Sequence, residues 1–357
     1  MATARSRHPF GGGEGSEASS HNIPLWAAGI PVFDAAGTRT SKRKLIGIGL
    51  TILIFAFLLA LTAFPVRAAE GTVKVGYQKY GTLILVKGKG NLEKALEPLG
   101  FKVEWIEFPA GPQLLEALNV GAIDIGHTGE APPVFAQAAG APLVYVAHEP
   151  PAPRGEAILI PKDSPIQSVA DLKGKTIALN KGSNVHYLLV KALEEAGLQY
   201  SDIKTAFLPP ADARAAFEQG SVDAWVIWDP FQAAAEAATG ARTLRNGEGI
   251  VSNYQFYFST KDFAEANPKI VDAVVASIAE IDAWAKGNSA AVADELAPSV
   301  GIPADILKVA LERQAYGIKP LDADVVAQQQ KIADAFHALG LIPEKISIAD
   351  VVRRAGS

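Results

Sequence analysis

From Val73 onward the apolar residues fall into short runs separated by longer amphipathic stretches. The runs VKVGYQ, KVEWIEF, AIDIG, PLVYVAHE, AILIP, KTIALN, IKTAFL and DAWVIWD have strand length and are bounded by turn residues. Between them, the spacing of Leu114, Leu115 and Leu118, and of Val185, Leu188, Leu189, Ala192 and Leu193, predicts helices. Further helices are expected up to Leu96, around Val134 to Ala138 and near Arg214 to Glu218. Such alternation predicts an α/β protein whose mainly parallel sheets are covered by crossover helices. Beyond Pro268 the periodicity is helical almost throughout. Val271, Val274, Val275, Ile278, Ile281 and Ala285 share one face, as do Val325, Val326, Ile332 and Phe336 further on. No internal repeat of fixed period is evident.

Two segments read as crossings between domains: the proline-rich Glu149 to Pro153, and Ile250 to Ser259 with its aromatic strand YQFYF. Two connections of this kind define two α/β lobes that rotate about a cleft. The expected division is residues 69–153 with 255–357 for lobe one and 154–254 for lobe two.

The N-terminus departs from this pattern. Lys42, Arg43 and Lys44 precede Leu45 to Phe64, a charge-free apolar stretch, and Pro65-Val66-Arg67-Ala68 follows with small or apolar residues where a signal peptidase cuts. Residues 1–68 therefore read as a polar lead plus signal peptide, cleaved after Ala68. A retained membrane anchor is the competing reading, since the stretch is long enough to span. The lead is rich in Gly and Ser, and Met1 is the only methionine. A translation start further downstream, at a codon other than Met, is the expectation that follows.

Composition narrows the chemistry. With 49% hydrophobic and 20% charged residues in 357, the chain is globular and long enough for two domains. Cysteine is absent, which removes disulfides, thiolate metal sites, a thiol nucleophile and a lipid-bearing cysteine. The balance is 33 basic to 38 acidic residues. Removal of residues 1–68 takes away seven basic and three acidic residues, leaving 26 against 35, formally −9. Nucleic acid has no electrostatic footprint here. An anion would have to be held by local dipoles rather than by overall charge.

Three strand ends carry candidate chemistry. Asn180 to His186 leaves the strand KTIAL and opens a helix, so Gly182, Ser183 and Asn184 read either as an anion receptor built on free N–H groups or as ordinary helix capping. Gly126 to Pro133, with His127, Thr128 and Gly129, leaves AIDI and enters a helix at Pro132, which suggests a second helix start facing the first. Gln78 follows the first strand. Trp228 and Asp229 end DAWVIWD, with Trp228 directed away from the face shared by Trp225 and Ile227. Asp229 fits either a helix cap or a partner for a cation. No G-x-S-x-G turn, HExxH motif or paired carboxylate pattern points to catalysis, and no cofactor or metal is called for.

The segments FPAGPQLLEALNVGAIDIGHTGEAPPVFAQAAGAPLVYVAHEPP, KGSNVH, PPADARAAFEQGSVDAWVIWDPF and IKPL closely resemble the aliphatic-sulfonate-binding proteins of bacterial ABC transporters, collinearly over nearly all of residues 72–350. The resemblance implies a two-lobed, type II periplasmic-binding-protein-like fold and a monomeric, periplasmic, non-enzymatic protein. Such a protein captures an aliphatic sulfonate and hands it to a membrane permease and its ATPase. It carries the anion pocket onto Gln78, Gly129, Gly182, Ser183, Asn184, Trp228 and Asp229. His127 stands where a small residue such as Ser is usual, and Glu130 where Asp is common, which bears on the size and polarity of the tail. Within transport the alternatives are taurine, nitrate, bicarbonate or a thiamine precursor, with Asp229 or Glu130 available to an ammonium group. Thiamine-pyrimidine synthases on the same fold use a cysteine-rich motif that this chain lacks. An iron-binding clamp needs more than Tyr254 and Tyr257 supply, and a sensory domain is the reading if the N-terminal segment stays anchored.

Overall fold

The structure, a computed structural model, describes residues 71–353; the polar lead, the apolar segment 45–64 and the cleavage site lie outside them. No helix among the described residues is long and apolar enough to cross a membrane.

Ten strands form two five-stranded sheets among the described residues. The first contains β1 (Gly71–Tyr77), β2 (Phe101–Glu107), β3 (Ile125–Gly129), β4 (Leu143–His148) and β10 (Gln255–Thr260), in the order β2-β1-β3-β10-β4. The second contains β5 (Glu156–Ile160), β6 (Thr176–Leu179), β7 (Lys204–Phe207), β8 (Ala224–Trp228) and β9 (Arg242–Asn246), in the order β7-β6-β8-β5-β9. Four of the eight strand pairs are parallel, as crossover helices require, and four are antiparallel. The antiparallel ones all involve β5 or β10, each antiparallel to both of its neighbours. These are the strands by which the chain enters one lobe from the other, so they run against the rest.

Helices α1 (Thr82–Lys89), α2 (Asn91–Leu96), α3 (Gly111–Asn119) and α4 (Pro132–Ala138) serve the first sheet. Helices α5 (Asn184–Glu195), α6 (Pro210–Glu218) and α7 (Phe231–Thr239) serve the second. The C-terminal part adds α8 (Lys261–Ala266), α9 (Pro268–Ala285), α10 (Ser289–Val300), α11 (Ala304–Leu311) and α12 (Ala323–Ala338). Val271, Val274, Ile278 and Ile281 of α9, with Val292 and Leu296 of α10 and Leu307 and Leu311 of α11, join β1 and α1 in one apolar cluster. The last helices thus extend lobe one.

Helix α12 does something different. Its Phe336 is fully buried and lies 4.8 Å from the ring of Phe135 on α4, and 5.7 Å and 5.8 Å from those of His186 and Tyr187 on α5. Residues of both sheets meet in this cluster, so the lobes share a continuous apolar seam. The two crossing segments also run side by side. The N–H of Glu149 donates to Gln255 O, that of Ala152 to Ser252 O, and Asn253 Nδ2 to Ala152 O.

Candidate functional site

A cleft collects the ends of β1, β3 and β8, the start of α5, both crossing segments and the α10–α11 pair. It encloses about 870 Å³ of atom-free space, its open mouth included. Of the residues singled out from the sequence, Gln78, Gly129, Ser183, Asn184, Trp228 and Asp229 line it.

Asn184 is one of the contacts between the lobes. Its Oδ1 accepts from Ala131 N at 3.3 Å and its Nδ2 donates to Asn253 Oδ1 at 2.6 Å, so a residue of lobe two engages lobe one and a crossing segment together. Gly129 makes room for it, since a Cβ there would stand 1.9 Å from Asn184 Nδ2. Asn253 holds φ at +52°, in the left-handed region that Asn tolerates better than most residues. In the first turn of α5, the N–H groups of Asn184 and Val185 have no carbonyl four residues back within the helix and carry the helix's positive partial charge. Gln78, almost fully buried, donates one amide hydrogen to His127 O at 3.0 Å. Ser183 Oγ donates to Asn180 O at 2.7 Å, leaving its lone pairs rather than its proton to the cleft.

Three sequence candidates sit behind the wall. His127 is buried with neither ring nitrogen bonded, edge-on to Tyr80 and Tyr257, and burial lowers its pKa to about 3, so it is neutral. Thr128 is fully buried and donates to Gly129 O. Gly182, at φ +75°, donates its N–H to His186 Nδ1 at 3.3 Å and packs toward Phe135. It therefore shapes the turn rather than presenting a donor. The expectation of two facing helix starts also needs correction. Residues 132 and 133 are both proline and have no N–H, and Ala131 N is already given to Asn184, so the start of α4 offers the cleft a ring surface instead of donors.

The rest of the wall escaped sequence reading. Leu296, Val300, Leu307, Ala310 and Leu311 line the cleft together with Trp228 and supply its apolar share. Asp229 Oδ1 accepts from Ala233 N at 3.0 Å, capping the start of α7, while Oδ2 lies 3.4 Å from Arg313 Nη1. Burial raises its pKa to about 6 against the opposing pull of Arg313. Glu149, also lining the cleft, is pushed up to about 8, first by burial and then by Asp282. Glu130 lies outside the lining, accepts from Tyr254 N at 2.9 Å and is raised to about 7 by burial. The positive φ of Asn253 had a sequence hint in the expected crossing segment; Arg313 had none. No cluster of three or more His, Cys, Asp or Glu able to hold a metal occurs among the described residues.

Two α/β lobes joined by two crossing segments, with a lined cleft between them, define a solute-binding protein of the periplasmic type. Residues 68–301 match the NMT1-like family, and the chain belongs to it. It is similar to the alkanesulfonate-binding protein of Xanthomonas axonopodis pv. citri, solved bound to MOPS. Identity there is 43% over 81% of this chain and all of that one, with a TM-score of 0.77. It is also similar to the periplasmic aliphatic sulphonate binding protein of Escherichia coli, at 46% identity over 79% of this chain and 97% of that one, with a TM-score of 0.72. The taurine-binding periplasmic protein of Escherichia coli K12 is more distant, at 28% identity over 64% of this chain and 72% of that protein.

Proposed function

We propose that this protein is the extracytoplasmic capture component of an ABC importer for aliphatic sulfonates, exported to the periplasm and delivering its ligand to a permease and ATPase for sulfur acquisition. The observation that carries this is the make-up of the cleft lining: neutral polar groups at Gln78 and the start of α5, where the neighbouring Lys79 is paired with Glu107, together with an apolar set of Trp228, Leu296, Val300, Leu307 and Leu311. A sulfonate stays ionised at ordinary pH and spreads one charge over three oxygens, which suits neutral donors. A phosphate dianion calls for more positive charge than these groups hold. The aliphatic tail then lies against the apolar residues.

Capture follows from the hinge. The anion binds at the α5 terminus while the lobes are apart, and closure seats Asn184 on Gly129 and lays α10 and α11 along the tail. The protein binds without turning over, as the solute-binding relatives do. Taurine is the weaker reading: Asp229 is engaged by Arg313, Glu130 lies outside the cleft lining, and Glu149, which does line it, has its pKa raised to about 8 by burial and is bonded by Thr82 and Tyr257, so an ammonium group finds no ready carboxylate.

Titration calorimetry with a series from methanesulfonate to octanesulfonate, alongside sulfate, nitrate, phosphate and taurine, tests the proposal. Each buried methylene contributes about 0.8 kcal/mol, roughly fourfold in affinity, until the wall is filled. A flat series, or nitrate or taurine binding more tightly than hexanesulfonate, overturns it.

A further inference from the structure

Asp229 poses a problem for any site that receives an anion. It lines the cleft at the end of β8, next in sequence to Trp228, and its side chain is largely buried. A carboxylate left alone there would repel the charge the cleft is meant to hold. The answer comes from the opposite lobe. Arg313 follows α11, which is anchored through Leu307 and Leu311 in the lobe-one apolar cluster, yet its guanidinium reaches across to lobe two. Nη1 stands 3.4 Å from Asp229 Oδ2 and Nη2 donates to Glu236 Oε2 on α7 at 2.7 Å. Glu236 fixes the fork from one side, and its carboxylate also accepts from Thr243 Oγ1 and Gln232 Nε2.

We infer that Arg313 is a positioning residue for anion capture: it neutralises Asp229 across the cleft when the lobes meet, so that the Trp228–Asp229 wall accepts a negatively charged ligand. The inference deepens the sulfonate reading and rests on it. Its geometry also explains why Asp229 is tolerated, since the same carboxylate caps α7 through Ala233 N and has a structural reason to be there. The charged groups facing Asp229 are Arg313, which favours its ionised form, and Glu236, which opposes it.

The test uses R313Q, D229N, the double variant R313Q/D229N and R313K, each titrated with hexanesulfonate, with the ligand-free melting point recorded for each. R313Q is expected to lose at least tenfold in affinity, D229N to lose less than R313Q, and R313Q/D229N to recover most of the R313Q loss, since the second change removes the carboxylate that the first leaves unpaired. R313K is expected to fall between R313Q and the parent. A purely structural tie between the lobes predicts instead that D229N is as damaging as R313Q and that the double variant is no better than R313Q; either result overturns the inference, as does an R313Q affinity within twofold of the parent. A readout that needs no ligand runs beside these: the carboxyl titration of Asp229, followed by carbon NMR, is expected to move to higher pH in R313Q, and an unchanged titration refutes the neutralisation. Failure of the parent protein to bind hexanesulfonate refutes the sulfonate reading, while the NMR arm still decides the role of Arg313.

Discussion

Gly129→Ala is the most incisive single change the structure offers. The added methyl would lie 1.9 Å from Asn184 Nδ2, 2.1 Å from Oδ1 and 2.2 Å from Cγ, where carbon contacts normally settle at about 3.5 to 4.0 Å. Two ways out exist. The Asn184 carboxamide leaves, losing its bonds to Ala131 N and Asn253 Oδ1, or the lobes stop short of their full approach. Each hydrogen bond contributes about 1 kcal/mol net, so the first route costs about 2 kcal/mol of the closed state, or roughly thirtyfold in affinity. Calorimetry with hexanesulfonate reads this directly. Asn184→Ala alone is expected to cost about as much, and the double variant G129A/N184A no more than either single one, because both changes remove the same interlobe contact. Affinity of G129A within threefold of the parent, or additive losses in the double variant, would refute the view that this glycine exists to admit Asn184.

Thr82 Oγ1 lies 2.6 Å from Glu149 Oε1 and 2.8 Å from Asp282 Oδ1 but has one proton to give. Asp282 Oδ2 is served by Gly317 N and Ile318 N, so Glu149 is the group that keeps a proton, in line with its pKa of about 8. With the folded value above the unfolded one, stability is fully present below about pH 4.5 and falls as pH rises toward 8. Melting curves from pH 5 to 9 are expected to fall less steeply for Glu149→Gln than for the parent, and parallel curves would contradict the assignment. Gly182→Ala places a methyl-bearing residue at φ +75° and 3.4 Å from Phe135, at a cost of about 1–2 kcal/mol in denaturant unfolding, with sulfonate affinity within threefold because the Gly182 N–H serves His186. Phe336→Ala is expected to lower stability by about 3–5 kcal/mol by opening the seam shared by both lobes; a loss below about 1 kcal/mol in the same assay contradicts that packing.

How much of this was legible in the sequence depended on where each signal came from. The central strands announced themselves because AILI, AWVI and FYF are buried on both faces and must be apolar throughout. Strand β9, with the sequence RTLRN, did not, because it pairs only with β5 and keeps every residue at least partly exposed, so nothing forces an apolar run on it. The start of α5 was readable because Ser183 and Asn184 follow a strand end, and topology brings strand ends to the cleft. The mistaken donor set at α4 was legible too, since Pro132 and Pro133 cannot donate whatever the fold. What no periodicity encodes is the pairing across the cleft. Asn184 meets residues 53 and 69 positions away, and Arg313 meets Asp229 over 84. Such contacts exist only when two separately folded surfaces close on each other, and each element's own hydrophobic pattern is satisfied without them. Local pattern therefore places the walls of this cleft, whereas the groups that make those walls compatible with an anion belong to the closed geometry.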